Sequence, residues 1–239
     1  MASVNPINTK PLYVQLRDLM AQRISTREWT PSAPLPNEID LSREFQVSIG
    51  TVRKALALLE DDRLIRRQQG RGTFVNDLAA NEFVNRYTNI KDQAGNRIGG
   101  RIRKAVVVRR AASHIECDKL GLMGGGEVFS IQRVRTNADR PFMIEQTTLP
   151  VHLLLRSAPE PGDYRIAALA QANGLLVGRA IEQVTPILAD EASAALLNIA
   201  TGTPILELDR IVCLTDGRPL EWRHAVCHLQ HERYVVTTS

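Results

Sequence analysis

Three short stretches carry side chains whose types and spacing could do chemistry. The first is Ser48-Ile49-Gly50-Thr51-Val52-Arg53-Lys54. It sets two hydroxyls and a glycine at the start of an amphipathic segment, with two cations just behind. Hydroxyls and the free amides of a helix N-terminus hold phosphate. A small residue lets that end approach closely, and Arg53 reaches a base edge or a phosphate. The second stretch, Gln69-Gly70-Arg71-Gly72-Thr73, sets one arginine at a turn tip between two glycines. Such a tip lies well along a minor groove or a nucleic-acid backbone. The third is Arg133 and Arg135, which alternate on a strand and so share one face. Two guanidiniums on one face suit a phosphate or carboxylate. Glu145 on the next strand, and Glu221 on another, could accept from a hydroxyl or amine. Each stretch by itself also reads as a surface helix, a solvated turn or an exposed arginine row. Taken together and in order, the first two favour nucleic-acid binding, whereas the arginine pair by itself reads first as an exposed row on an edge strand.

Other chemistries find little support. No nucleophile elbow or phosphate-binding Walker loop occurs. Cys117, Cys213 and Cys227 are odd in number and widely spaced, which is neither a disulfide framework nor a zinc pattern. His224, Cys227, His228 and His231 look like metal ligands, but on a strand Cys227 points away from His224 and His228. Neither a metal nor a cofactor is expected. The tract Arg97, Arg101, Arg103, Lys104, Arg109 and Arg110 contains no acidic residue and reads first as a solvated face.

These residues need elements to position them. Leu12, Leu16, Leu19, Met20 and Ile24 recur at helical spacing, predicting a first helix from Pro11 to about Ser25. The proline-rich stretch of residues 30–36 must be loop. Asn37 caps a second helix that carries Leu41, Arg43 and Phe45 and ends near Gln46. Ser48 caps a third, whose buried stripe is Val52, Ala55, Leu56 and Leu59. Strands near Leu64–Gln68 and Thr73–Asn76 flank the glycine turn. Helix, helix, short turn, helix and hairpin is the layout of a winged helix-turn-helix, expected over residues 8–76. A polar connection with some helical character follows over 77–95.

Residues 96–239 repeat internally. Leu120-Gly121-Leu122, Gly125, Val128 to Arg133, Asp139 and Pro141 return about 77 residues later as Leu197-Asn198-Ile199, Gly202, Ile205 to Arg210, Asp216 and Pro219. Each unit reads as helix, glycine turn, strand, turn and strand. The expectation is an α+β domain with a largely antiparallel sheet, a pseudo-twofold axis and a cleft between halves.

Bulk properties agree. A chain of 239 residues makes one or two domains. Its net charge is +4, and residues 1–76 hold 11 Lys and Arg against 8 Asp and Glu, so the excess sits at the amino-terminal end. Apolar runs are too short to span a bilayer, and Met1 to Lys10 lacks an apolar signal region. The expected location is the bacterial cytoplasm, in association with the nucleoid.

The motifs also carry a resemblance. Leu35-Pro36-Asn37-Glu38, Val47 to Leu56, and Leu64 to Val75 with its Gly70-Arg71-Gly72 core resemble the GntR family of bacterial regulators, from about Pro11 to Asn76. The resemblance implies operator contacts from Arg43, Ser48, Thr51, Arg53 and the Gly70–Thr73 wing. Family members often carry arginine where this chain has Ile39 and Ile49, so a different operator sequence is implied. Ile131 to Arg135, Arg140 to Glu145 with Leu149-Pro150, Asp216 to Glu221, and Glu232-Arg233-Tyr234 resemble the UTRA effector domain of the HutC branch. That implies a chorismate-lyase-like fold, a homodimer, and a small, anionic effector held near Arg133, Arg135, Glu145 and Glu221. In the sugar-phosphate-sensing members, a serine stands where Tyr164 appears and a tyrosine where Cys227 appears. Both positions are thereby pointed to as effector contacts, and a sugar phosphate is not implied. Together these features describe a DNA-binding transcription regulator, a repressor by family default. The alternative is a DNA-binding module fused to a small-molecule enzyme of lyase-like fold.

Overall fold

The computed structural model describes residues 10–31, 33–76, 87–123, 125–160 and 165–236. Tyr164, most of the expected connection 77–95, and both chain ends lie outside the described residues.

Pro11 stands just before helix α1 (Leu12–Ser25), its carbonyl accepting from the Val14 and Gln15 amides. The helix therefore begins one residue later than expected, because proline presets the turn from the cap position. Leu16, Met20 and Ile24 fall one helical turn apart and are buried. The side chain of Asn37 accepts from the Ile39 and Asp40 amides to start α2 (Glu38–Phe45). Gln46, at φ 55°, turns the chain out of it. Ser48 then accepts from the Thr51 amide and starts α3 (Ile49–Asp61), which buries Val52, Ala55, Leu56 and Leu59.

Strands β1 (Ile65–Gln68) and β2 (Gly72–Val75) form an antiparallel hairpin that pairs Gln68 with Gly72. The first strand is one residue shorter than expected, and the second has the expected length but lies one residue earlier. Arg63 sits at φ 55° in the turn after α3, and Asn76 closes the hairpin base, its amide donating to the Leu64 carbonyl and its side chain to the Arg63 and Ile65 carbonyls.

Beyond β3 (Ile90–Lys91), which pairs with β10 (Arg233–Tyr234), the chain forms two like units. One is β4 (Arg101–Ala111), α4 (His114–Leu120), β5 (Glu127–Asn137) and β6 (Arg140–Pro150). The other is β7 (Val177–Leu188), α6 (Glu191–Leu197), β8 (Pro204–Leu214) and β9 (Pro219–Cys227), with α5 (Ile166–Ala172) between the units. They build one antiparallel sheet in the order β4-β5-β6-β9-β8-β7, which reads as a pseudo-twofold about the central β6–β9 pair. Each unit has one more strand than the sequence repeat suggested, placed before its helix. Gly121 and Asn198 end the two helices in the same left-handed conformation.

Arg17 on α1 joins the two parts. It donates to the Thr215 carbonyl in the β8–β9 turn at 2.8 Å and pairs with Asp62 at the end of α3 at 3.4 Å.

Candidate functional site

Two regions of the chain collect exposed or cavity-facing polar groups. The first is the surface formed by α2, the amino end of α3 and the hairpin tip. Ser48, Ile49, Gly50, Arg53 and Lys54 are exposed there, and Thr51 is half-buried. Ser48 and Thr51 hydroxyls lie 2.9 Å apart. A Cβ on Gly50 would meet nothing closer than the Ser48 hydroxyl at 3.8 Å, so packing within the chain does not require glycine. Arg53, with 66% of its side chain exposed, is held by Glu38 of α2 at 2.7 Å. Lys54 reaches over the Tyr13 ring at 5.7 Å. Arg43 projects from α2, exposed, on the same helical pair, whereas Asn37 uses its side chain to cap that helix. Gln69, Gly70, Arg71 and Gly72 form the exposed hairpin tip and Thr73 is half-buried behind them. Ile39 and Ile49 are large apolar side chains exposed on this surface.

The second region is a cavity of about 90 Å³ on one face of the large sheet, bounded by β3, β10 and α5. Space for one water is about 10–15 Å³, so it admits several waters or a small polar molecule. Arg133 and Arg135 line it from β5, Arg210 from β8, Glu221 and Arg223 from β9, and Arg165 from the start of α5. Beneath them Glu145 is fully buried and gathers three cations. Arg133 lies 2.7 Å, Arg135 2.8 Å and Arg223 3.2 Å from its carboxylate. Burial alone would raise the Glu145 pKa, but Arg135, Arg133 and Arg223 outweigh it and hold it at about 2.

A second carboxylate, Glu182 on β7, takes Arg210 at 2.5 Å and Arg223 at 3.6 Å. It also accepts from the Tyr234 hydroxyl and from Asn89. Burial, and then the like charge of Arg223, push the Arg210 pKa down to about 10. The Arg223 Nε–H is buried and meets no acceptor among the described residues. Arg135 donates to the Gly99 carbonyl at 2.9 Å. Gly100 next to it has φ +71°, and a Cβ there would sit 2.5 Å from the Phe142 ring. That glycine lets the chain close over the arginines.

The expected effector residues thus divide. Arg133, Arg135 and Glu221 stand on the cavity wall. Glu145 lies under the wall as the anchor of its arginines. Cys227 is buried among Phe142, Met143 and Leu208, and burial first of all raises its thiol pKa to about 12. Tyr164 lies outside the described residues.

Arg210, Arg223, Arg165 and Glu182 were not anticipated. The repeat held the signal for Arg210, since Arg133 and Arg210 occupy equivalent places in it. Arg223 and Glu182 come from strands brought in only by the sheet. Within the basic tract, Arg110 forms a bidentate pair with Glu116 of α4 at 2.7 Å, and Arg109 pairs with Glu127 of β5. The helix that follows the tract and the strand paired with it therefore supply the acids that the tract itself lacks. His224 pairs with Glu207 at 2.9 Å, and no group of metal-ligating side chains occurs among the described residues.

A winged helix-turn-helix with an exposed helix end, joined to a sheet domain with a polar internal cavity, is the architecture of a ligand-responsive DNA-binding regulator. Comparison with known proteins gives the family. Residues 12–75 match the bacterial regulatory proteins of the gntR family, and residues 101–233 match the UTRA domain. The chain belongs to the GntR family and carries a UTRA effector-binding domain.

It is 28% identical over 217 residues to the mannosyl-D-glycerate transport/metabolism system repressor MngR of Escherichia coli, covering 89% of this chain and 90% of that protein. It is 30% identical over 210 residues to the histidine utilization repressor of Pseudomonas aeruginosa, covering 84% and 80%. Its fold resembles that of a solved Bacillus subtilis chain described as a possible transcriptional regulator, YydK. The TM-score is 0.54 at 20% identity, over 95% of this chain and 99% of that one. The chain is a DNA-binding transcriptional regulator of a family of regulators, and no helix among its described residues is long and apolar enough to cross a membrane.

Proposed function

We propose that this chain represses transcription as a homodimer on a twofold-symmetric operator, and that a small anionic metabolite in the cavity controls its affinity for DNA. The cavity carries the proposal. Five arginines, Arg133, Arg135, Arg165, Arg210 and Arg223, face or flank it. Three carboxylates, Glu145, Glu182 and Glu221, stand against them. The excess of buried positive charge favours an anion, and the Arg223 Nε–H supplies a donor for it. Glu221 orients the ligand by accepting a hydroxyl or amine.

In the amino-terminal domain, Ser48, Thr51, Arg43, Arg53, Lys54 and the Gln69–Thr73 tip meet the operator, with Asn37 holding α2 in place. A glycine within a helix costs about 1 kcal/mol against alanine, and close approach of DNA to Gly50 and Ile49 accounts for it. One winged helix reads few base pairs, which favours a dimer and paired half-sites. The working division of the chain is a DNA-binding domain over 8–76, a connection over 77–95 and an effector domain over 96–239. Its place of action is the cytoplasm, at the chromosome. It acts by binding rather than turnover.

The test combines selection of the operator from genomic fragments with a metabolite melting screen on the purified chain. A hit should raise the melting temperature by mass action and change operator affinity. Hits confined to neutral or cationic compounds, or a hit consumed with product formed, would overturn the reading.

A further inference from the structure

We propose that a groove where the DNA-binding and effector domains meet is a second anion site, one that takes a phosphate-type oxyanion and joins the two domains through it. The groove encloses about 360 Å³. It is lined by Arg63 from the turn after α3, by Lys91 and Arg97 beside β3, and by Arg179 and Arg210 from β7 and β8. Glu182 is the one carboxylate among these lining residues, and it is already engaged by Arg210, Arg223, Asn89 and Tyr234. Arg63, Lys91 and Arg179 have no ion-pair partner among the described residues. Like charges gathered around a concave surface repel one another, and an anion there relieves the repulsion.

Two further observations point the same way. Arg63 holds a left-handed conformation at φ 55°, a place in a helix-ending turn where glycine is favoured. Such strain collects at functional positions. Arg210 is shared by this groove and the inner cavity, as are Tyr87 and Asn89, so the two spaces are neighbours.

The groove is poorly placed for DNA. Arg63 follows the far end of α3, 13 residues long, which at 1.5 Å per residue is about 20 Å from the Ser48 end. It also lies at the base of the hairpin, whose tip is Gly70-Arg71. An oxyanion in the groove contacts Arg63 on one domain and Arg179 on the other, so its presence favours the docked arrangement. The oxyanion is either free in solution or the far end of a ligand seated in the inner cavity.

The test is calorimetric titration of the full chain with inorganic phosphate and pyrophosphate. Three proteins are compared: the unchanged chain, Arg63→Gly/Arg179→Ala, and Arg133→Ala/Arg135→Ala. Arg63→Gly removes the charge while easing the turn, so the fold should be kept, and a circular dichroism melt checks this. The groove variant should bind pyrophosphate at least about 10-fold more weakly. If the cavity variant keeps its affinity, the groove takes a free anion. If both variants lose it, one ligand spans both spaces. Unchanged affinity in the folded groove variant overturns the proposal. When the cavity variant alone loses binding, the groove falls while the cavity reading stands. No binding by the unchanged chain up to about 10 mM also overturns it, as does a groove variant that loses only DNA affinity.

Discussion

Arg17 of α1 and Thr215 of the β8–β9 turn are joined by a 2.8 Å hydrogen bond across the domain junction. The strands leading into and out of that turn carry Arg210, Glu221 and Arg223 of the cavity wall. The same guanidinium pairs with Asp62 at the end of α3, so one side chain links the effector cavity to the helix whose other end is the candidate reading end. Arg17→Ala should remove a charge-assisted bond of about 1.5–3 kcal/mol. Amide hydrogen exchange should quicken at Thr215 to Gly217, while the buried stripe of α3 stays protected. Unchanged exchange at that turn would show that the domains dock without it.

Arg53 and Arg71 should differ in kind. Arg53 extends exposed from α3, steadied by Glu38, and under the proposed docking it reads a base edge. Arg53→Ala should cost about 1–3 kcal/mol on the operator and relax sequence preference. Arg71 stands at the hairpin tip, and Arg71→Ala should weaken all sequences evenly and flatten the salt dependence. Fluorescence anisotropy on operator and scrambled DNA, over a range of salt, separates the two. Intact operator affinity in both variants would sink the docking mode.

Acid should destabilise the effector domain through Glu145. Its folded pKa is about 2 against an ordinary 4.5, so its contribution is present above about 4.5 and is lost as the pH falls toward 2. That contribution is on the order of 3 kcal/mol at neutral pH. Glu145→Gln leaves three arginines around an uncharged amide and should cost about 3–5 kcal/mol. Melting curves between pH 3 and 7 (about the range of carboxylate titration) should show a smaller pH slope in the variant. An equal slope would remove Glu145 from the account.

The three thiols should react unequally. Cys213 and Cys227 are buried and Cys117 is half-buried, and burial raises the pKa of Cys213 as well as Cys227. Under native conditions a maleimide should label Cys117 first, and the other two only after denaturation. Rapid native labelling of Cys227 would show that its pocket opens.

Much of the architecture follows from local pattern. Pro11, Asn37 and Ser48 start helices because each presets or caps the first turn, and the spacing of Leu16, Met20, Ile24, Val52, Leu56 and Leu59 tells which faces are buried. Arg133 and Arg135 could be placed on one face because strand alternation is a local rule. The repeat, visible in matched glycines and strands, already implied a symmetric sheet. What local pattern does not contain is pairing. Strand alternation puts Glu145 near the two arginines, but only the packing of β5, β6 and β9 makes it the buried anchor of Arg133, Arg135 and Arg223. Glu182, Arg210 and Tyr234 meet because β7, β8 and β10 converge from positions far apart in the chain. Charge partners are set by distance in space, and a sequence records only distance along the chain.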